Sequence, residues 1–347
     1  MAYQNVGTTP RFYIDYLSYL NMTGKYNLTS YYDTFQVGLN PSSISEINIA
    51  AEAEGSFAKL GDDSTVAIPK EMPINFWATL GHNWGGAKDA GRVIVPHFHM
   101  HEDSEDGYQQ CQPNHVEIVN SDSGTDTTFQ SDFDGFTITE LTASEAGFSP
   151  DGQIEDIGTI FLYSQSAATA YLFRTGATAI GKYYDMPVAP DLSLSLEHDY
   201  SGIKKTTSMS GASFSNANWI KPPKWGDKEA WQLGDFPRPY SGRRVWDLSF
   251  SYISDSDLEP RNYTGTTDDT PPQQGTDNWF ENVLHYTMGG HLPFIFQPNK
   301  DATYVPEGDY IGEIPELAIC RFDMDTFSRE QVAVNVYNIK VKIKETW

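Results

Sequence analysis

Hydrophobic positions along this chain fall in short runs, many of them alternating with polar ones, and clusters of Gly, Pro, Asn, Asp and Ser separate the runs. Residues 34–39, 74–80, 93–100, 136–141, 160–163, 170–173, 192–196 and 246–252 all read this way, and alternation with a period of two marks a half-buried strand. Many short strands at this spacing point to sandwiches or barrels. No fixed-period repeat is found, which disfavours a solenoid or propeller. One segment, residues 277–288, has helical periodicity instead. Phe280, Val283, Leu284 and Thr287 fall on one stripe beside Trp279, Asp277 is placed to cap the start, and Gly289-Gly290 to end it. A single helix with one face on a sheet is therefore expected.

The C-terminal segment reads as one long strand in two phases. Val332, Val334 and Val336 alternate, then Ile339, Val341 and Ile343 alternate after a shift at Tyr337-Asn338, as a bulge would produce. Lys340, Lys342 and Lys344 then share a face, either as protection of an edge strand or as a basic ladder docking on an acidic neighbouring subunit. The prolines of Met186-Pro187-Val188-Ala189-Pro190 mark a domain boundary, and residues 254–276 form a polar stretch too long for a plain connection, suited to a contact arm.

Composition narrows the function classes. Aromatics make up 14% of the 347 residues, enough to fill cores of ordinary size, so disorder is not expected over most of the chain. The formal net charge is −24, with 24 acidic and 8 basic residues up to Asp185 and 23 and 15 beyond it. Both parts repel polyanions, so tight nucleic-acid binding is excluded, although an acidic wall suits a conduit through which DNA must slide. Cys111 and Cys320 lie far apart and read as free thiols. No apolar run approaches the roughly 20 residues that span a bilayer, and no basic stretch followed by an apolar one opens the chain, so membrane insertion and export by a signal peptide are not expected. The sequons at Asn21, Asn27 and Asn262 then carry little weight.

Candidate chemistry centres on histidines and tryptophans. If 93–100 is a strand that continues into the next residue, His97, His99 and His101 point to one side, with Ile94, Phe98 and Met100 on the buried side. Imidazoles so spaced can share a transition metal, with His115 or the acids of 102–106 as further ligands, or with copies around a three-fold axis. The alternative is the polar side of a half-exposed strand. Residues 102–106 and 151–156 offer oxygens for calcium but lack EF-hand spacing, and solvated loops explain them better. Trp77 and Trp84 near strand ends could stack on sugars, whereas the proline-flanked run holding Trp219, Trp225 and Trp231 fits a subunit interface better. No Gly-x-Ser-x-Gly, His-Glu-x-x-His, phosphate-cradling loop or dinucleotide fingerprint occurs, and Cys111 near His101 and His115 sits in acidic surroundings that oppose a thiolate. No catalytic residue and no obligatory cofactor are expected.

Two stretches resemble virion structural proteins of tailed bacteriophages. Asn75-Phe76-Trp77-Ala78-Thr79-Leu80-Gly81-His82-Asn83 and Ile157-Gly158-Thr159-Ile160-Phe161-Leu162 look like the opening and closing strands of a discoidin-like, carbohydrate-module-type jelly roll. Leu192-Ser193-Leu194-Ser195-Leu196, Gly242-Arg243-Arg244-Val245-Trp246-Asp247-Leu248-Ser249-Phe250, Leu292-Pro293-Phe294-Ile295-Phe296 and the last strand are similar to minor tail or distal tail proteins. The resemblance implies a mainly β chain: a jelly-roll β-sandwich over 30–186, a tail-tube-like β domain with one packed helix over 187–347, and an N-terminal strand or arm, residues 1–29, that belongs to the second. It further implies a structural subunit, made in the host cytoplasm and carried in the tail of the virion. Such a subunit would form three- or six-fold rings with itself and contact other tail proteins at the tail tip or baseplate. The alternative is a carbohydrate-binding module that recognises a host surface glycan.

Overall fold

The computed structural model describes residues 8–24, 39–61, 68, 72–100, 110–111, 114–119, 131–142, 157–192, 195–217, 221–236, 240–259, 278–307 and 310–347. Its first half holds β1 (Arg11–Asp15), α1 (Tyr16–Thr23), β2 (Ser45–Ile49), β3 (Gly55–Gly61), β4 (Phe76–His82), α2 (Trp84–Asp89), β5 (Ile94–Met100), β6 (Gln110–Cys111), β7 (Asn114–Val119), β8 (Gly135–Thr142), β9 (Ile157–Ser164), β10 (Tyr171–Thr175) and β11 (Thr178–Asp185). The second holds β12 (Ser195–Asp199), β13 (Ile203–Thr207), β14 (Ser213–Ala217), β15 (Arg243–Ser254), α3 (Asp255–Leu258), β16 (Phe294–Gln297), β17 (Val305–Glu307), β18 (Tyr310–Glu313), β19 (Ala318–Phe322), β20 (Arg329–Ala333) and β21 (Val336–Glu345). The chain is mainly β and built of antiparallel sheets, as its alternating pattern requires.

The largest sheet has 11 strands in the order β12-β15-β21-β19-β16-β1-β11-β4-β8-β7, with β20 added beside β21. Its pivot is β1. Arg11, Phe12 and Tyr13 pair with Gln297, Phe296 and Ile295 on one side and with Asp185, Tyr184 and Tyr183 on the other. The segments before and after residue 186 therefore share one sheet. The boundary loop is itself tied down, the Met186 N–H donating to the Pro10 carbonyl at 3.0 Å and the Asp191 N–H to that of Ser249 at 2.8 Å.

Central strands of this sheet are buried on both faces, so successive residues enter different cores. Phe12 and Ile14 join one core while Tyr13 joins the other. Over β4 the first core is a sandwich: the four-stranded sheet β3-β9-β5-β6 faces it, with Phe98 packed edge-on to Trp77 at 5.6 Å. Over β1 and β16 the cover is helical, and Trp279 packs on Phe12 at 5.0 Å and Phe322 at 5.8 Å. The opposite face of β4 and β8 is closed by residues 225–233, whose Trp225, Trp231 and Leu233 pack with Phe76, Leu80, Phe136 and Ile138.

Several expected elements change form. The N-terminal strand expected within residues 1–29 spans only Arg11–Asp15 and continues as α1, because the Asp15 carboxylate accepts the N–H groups of Leu17 and Ser18 and Gly24 closes the helix at φ +67°. The helix expected over 277–288 is a π-helical turn, Phe280–His285, followed by a tight turn, Met288–Gly290. The Asn278 carbonyl accepts both the backbone and side-chain N–H groups of Asn282, and Val283 accepts both donors of Thr287; such sharing loosens the regular ladder. Asp277 lies outside the described residues, and Asn278 accepts the Glu281 N–H at 2.9 Å. The strand expected over 192–196 pairs over Ser195–Asp199 instead, and of 34–39 only Leu39 is described.

The C-terminal segment is a hairpin, β20–β21, turning at Val334 and Asn335, where Asn335 takes φ +58°. It is not one bulged strand. The phase shift at Tyr337-Asn338 answers a bulge on the partner instead: β15 pairs Phe250 with Ile339 and then Ile253 with Tyr337, and Tyr252 is thrown outward at φ +62°. Because β21 lies between β15 and β19, it is not an edge strand, and its lysines do not protect one.

Candidate assembly surface

Two hairpins carry fully exposed strands. β13–β14 is a two-stranded sheet paired only within itself, from Ile203 opposite Ala217 to Thr207 opposite Ser213. All five residues of β13 are exposed, as is Met209 at the tip. Phe214 is 59% exposed. An isolated two-stranded hairpin is marginally stable in water, so this one gains from being covered. The second is β20–β21, where all five residues of β20 are exposed and Val334 at the turn is 85% exposed. Tyr252, on the bulge beside it, is 76% exposed.

The lysine ladder lies on β21 as the sequence places it, but its charges are met from within the chain. Lys344 reaches Asp199 at 2.7 Å and Lys342 reaches Asp323 at 2.9 Å, which raises the Lys342 ammonium above its ordinary range. Lys340 is exposed opposite Ser249. Beneath the ladder, Arg244 is buried with Glu345: two of its guanidinium nitrogens donate to the two carboxylate oxygens at 3.0 and 2.8 Å, and a third reaches Glu316 at 2.7 Å. These bonds to carboxylates, rather than its burial, hold the guanidinium charged and lock the end of β21 to β15. Cys320 in the same core has its thiol pushed well up by burial and then by Glu345, so it is a poor nucleophile.

The tryptophans expected to face solvent are inside. Trp77 and Trp84 are each 1% exposed, one against Phe98 and the other against His82 and Phe57, so neither offers a platform for a sugar. Trp225 and Trp231 pack on each other at 4.8 Å and on Phe136, filling the second core of this chain rather than a joint with another. Length and polarity of the surrounding loop suggested an interface; the apolar outer face of β4 and β8 is what these rings cover instead. Trp219 lies outside the described residues.

On β5 the side chains alternate between two covered faces, with Val95 and His99 buried and His97 half-buried on the histidine side. Phe98 and Ile94 are buried in the core, while His97 stacks on Phe161 at 4.7 Å and His99 meets the same ring edge-on at 4.7 Å. Burial, and then His99, lower the His97 imidazole to about 4, so it is neutral at ordinary pH. His101 and the acids of 102–106 and 151–156 lie outside the described residues, as does the side chain of His115. Among the described residues no three His, Cys, Asp or Glu side chains converge.

Two features had no sequence signal. His82, at the end of β4, accepts the Trp84 N–H on Nδ1 at 3.2 Å, so its proton sits on Nε2 and is donated to Thr137 Oγ1 at 2.7 Å. Burial lowers this imidazole to about 3. An open cleft of about 480 Å³ is lined by Met288, Gly289, Gly290, His291 and residues 322–325. Three consecutive residues of its lining, Met288, Gly289 and Gly290, have positive φ; the glycine pair marked the end of a helix in the sequence, but not a cleft. Asp323 on its rim is already engaged with Lys342.

No family model, no curated protein and no solved structure matches this chain. Among the described residues no helix is long and apolar enough to cross a membrane.

Proposed function

We propose that this chain is a structural, non-catalytic subunit of a large assembly, and that the assembly is the tail of a bacteriophage, with copies arranged as a ring around the DNA conduit. The observation that carries the assembly part is the β13–β14 hairpin: a self-paired arm exposed along its length, with uncovered apolar side chains, on an otherwise well-filled molecule. Exposed apolar arms of this kind are ordinarily covered by a neighbour. The net charge of −24 suits a wall along which DNA must move without sticking. The placement in a tail rests on the resemblance of the strand motifs.

The host-glycan alternative loses its starting point, since the two rings that suggested it are core residues. The test is the mass of the purified protein over a range of concentrations, together with imaging of particles that carry a labelled copy. Association into a three- or six-fold species and label in a ring of the tail are expected. A chain that stays monomeric at every concentration would end this reading.

A further inference from the structure

β15 ties two unlike surfaces to its two ends. At its start, Arg243 pairs with Asp199, from which the chain passes into the β13–β14 arm. At its finish, Ser254 pairs with Val336, beside the turn of the β20–β21 hairpin, and the chain passes into α3. Twelve residues at about 3.3 Å each put the two ends of β15 roughly 35 Å apart.

Their charges are opposite as well. Residues 201–217 contain Lys204 and Lys205 and no carboxylate, in a chain with 47 acidic and 23 basic residues. The cross-strand register gives each face of the arm one lysine and one exposed apolar side chain: Lys205 with Ile203, and Lys204 with Phe214. The far end carries Asp255, Asp257, Glu259 and Glu330 against Arg329, which is itself paired with Glu259. Its uncovered apolar side chains are Tyr252, Val332 and Val334. Each surface thus has exposed apolar side chains beside net charge of one sign, a composition suited to a protein–protein contact.

Resting on the assembly reading above, we propose that copies of this chain join head to tail, the basic β13–β14 arm of one copy seated on the Tyr252, Val332 and Val334 surface of the next, with Lys204 and Lys205 facing its acidic rim. Arm against arm would set lysines together, and far end against far end would set carboxylates together; both symmetric pairings are repelled. The heterologous pairing alone matches opposite charges, and it uses surfaces at opposite ends of one strand. Each copy then offers one arm and one seat, so the contact propagates into a ring if the rotation closes and into a filament if it does not.

Two charge-reversed proteins test this: Lys204→Glu with Lys205→Glu, and Asp255→Lys with Glu330→Lys. All four positions are exposed, and unchanged melting curves check that each variant folds. The concentration at half association is read by light scattering for wild type, for each variant, and for their equimolar mixture. The expected result is at least a tenfold rise for either variant alone and recovery in the mixture, where every arm finds a seat of opposite sign only on the other variant. Association of either variant at the wild-type concentration, or a mixture no better than its parts, overturns the head-to-tail contact while leaving the assembly reading in place. A wild-type chain that never associates ends both.

Discussion

Asp15 carries two jobs that conflict. Its carboxylate caps α1 through Leu17 and Ser18, which favours a charged acceptor, yet it is 2% exposed, and burial raises its proton affinity from the ordinary 3.8 to about 6. A raised carboxyl contributes stability that is complete below about 3.8 and lost as pH rises through about 6. His82 runs the other way: lowered to about 3, it contributes stability that is present above 6.5 and lost as pH falls. The two slopes oppose each other between about 4 and 6. Asp15→Asn keeps a capping oxygen and removes only the first slope, so comparing the two proteins isolates it. From about pH 4 to about pH 7.5 the unfolding free energy of Asp15→Asn should improve relative to wild type by about 2 to 3 kcal/mol, since each tenfold change in proton affinity is worth about 1.4 kcal/mol. Urea titrations at the two pH values measure the change, and a constant gap between the proteins would show that Asp15 does not hold its proton in the fold. None of this was legible in the sequence, where Asp15 followed an aromatic strand-like run and carried no sign of being buried. The tryptophans teach the same lesson: residue type set their energetic weight, but only the fold decided that Trp77, Trp84, Trp225 and Trp231 are covered by this chain itself.

Elements were legible where a strand-forming run is bounded by turn residues, whether one face is partly open, as in β15, or both are buried, as in β4. β4, β5, β8, β9, β10 and β15 coincide with the expected strands to within a few residues, and Lys340, Lys342 and Lys344 share a face as the alternation requires. Elements whose partners lie far away in sequence were not. Nothing near Tyr337 tells a bulge from a hairpin, because the extra residue sits on β15, where Tyr252 has left the ladder. β13–β14 has no apolar face to announce it. Gly135 is the clearest case of a constraint imposed from a distance. It opens β8 at φ +135°, and a Cβ there would lie 2.1 Å from the Gln232 carbonyl oxygen. That oxygen belongs to the loop carrying Trp231 and Leu233 onto the sheet, held by the Gly234 N–H donating to the Asp134 carbonyl at 2.8 Å. Gly135→Ala must therefore either strain β8 or lift the loop, and should cost about 3 kcal/mol or more. Chemical unfolding followed by tryptophan fluorescence would report it, since Trp225 and Trp231 pack against Phe136 next to the substitution. An unfolding midpoint equal to wild type would mean that the loop does not press on Gly135.

At the scale of the whole molecule, the mainly β class was readable from the pattern of short strands, and β1 pairs with β16 of the second half. What no local pattern could reveal is that β1 belongs equally to the first half. It is hydrogen-bonded to β16 on one edge and to β11 on the other, and its side chains enter both cores. Long-range pairing of this kind is set by complementarity among strands nearly 300 residues apart, which composition and periodicity do not encode. Two consequences follow for stability. Residues 187–347 expressed alone would present β16 as a bare edge flanked by Phe294 and Phe296, with Phe12 missing from the contact with Trp279. An exposed apolar edge strand is an aggregation template, so this fragment should be poorly soluble. Fusing residues 8–24 to it through a flexible linker moves the bare edge from β16 to β1, whose partner β11 is then missing, and leaves Trp225 and Trp231 without Phe136, so the fusion should remain poorly soluble although α1 brings Tyr16 and Tyr19 back against Tyr286. The intact chain, with one sheet and a shared core, should unfold in a single calorimetric transition whose van't Hoff and calorimetric enthalpies agree. Two separate transitions, or a fragment of 187–347 that melts cooperatively without β1, would show that the halves are independent bodies joined only at their edges, and the sheet would then owe its continuity to docking rather than to folding.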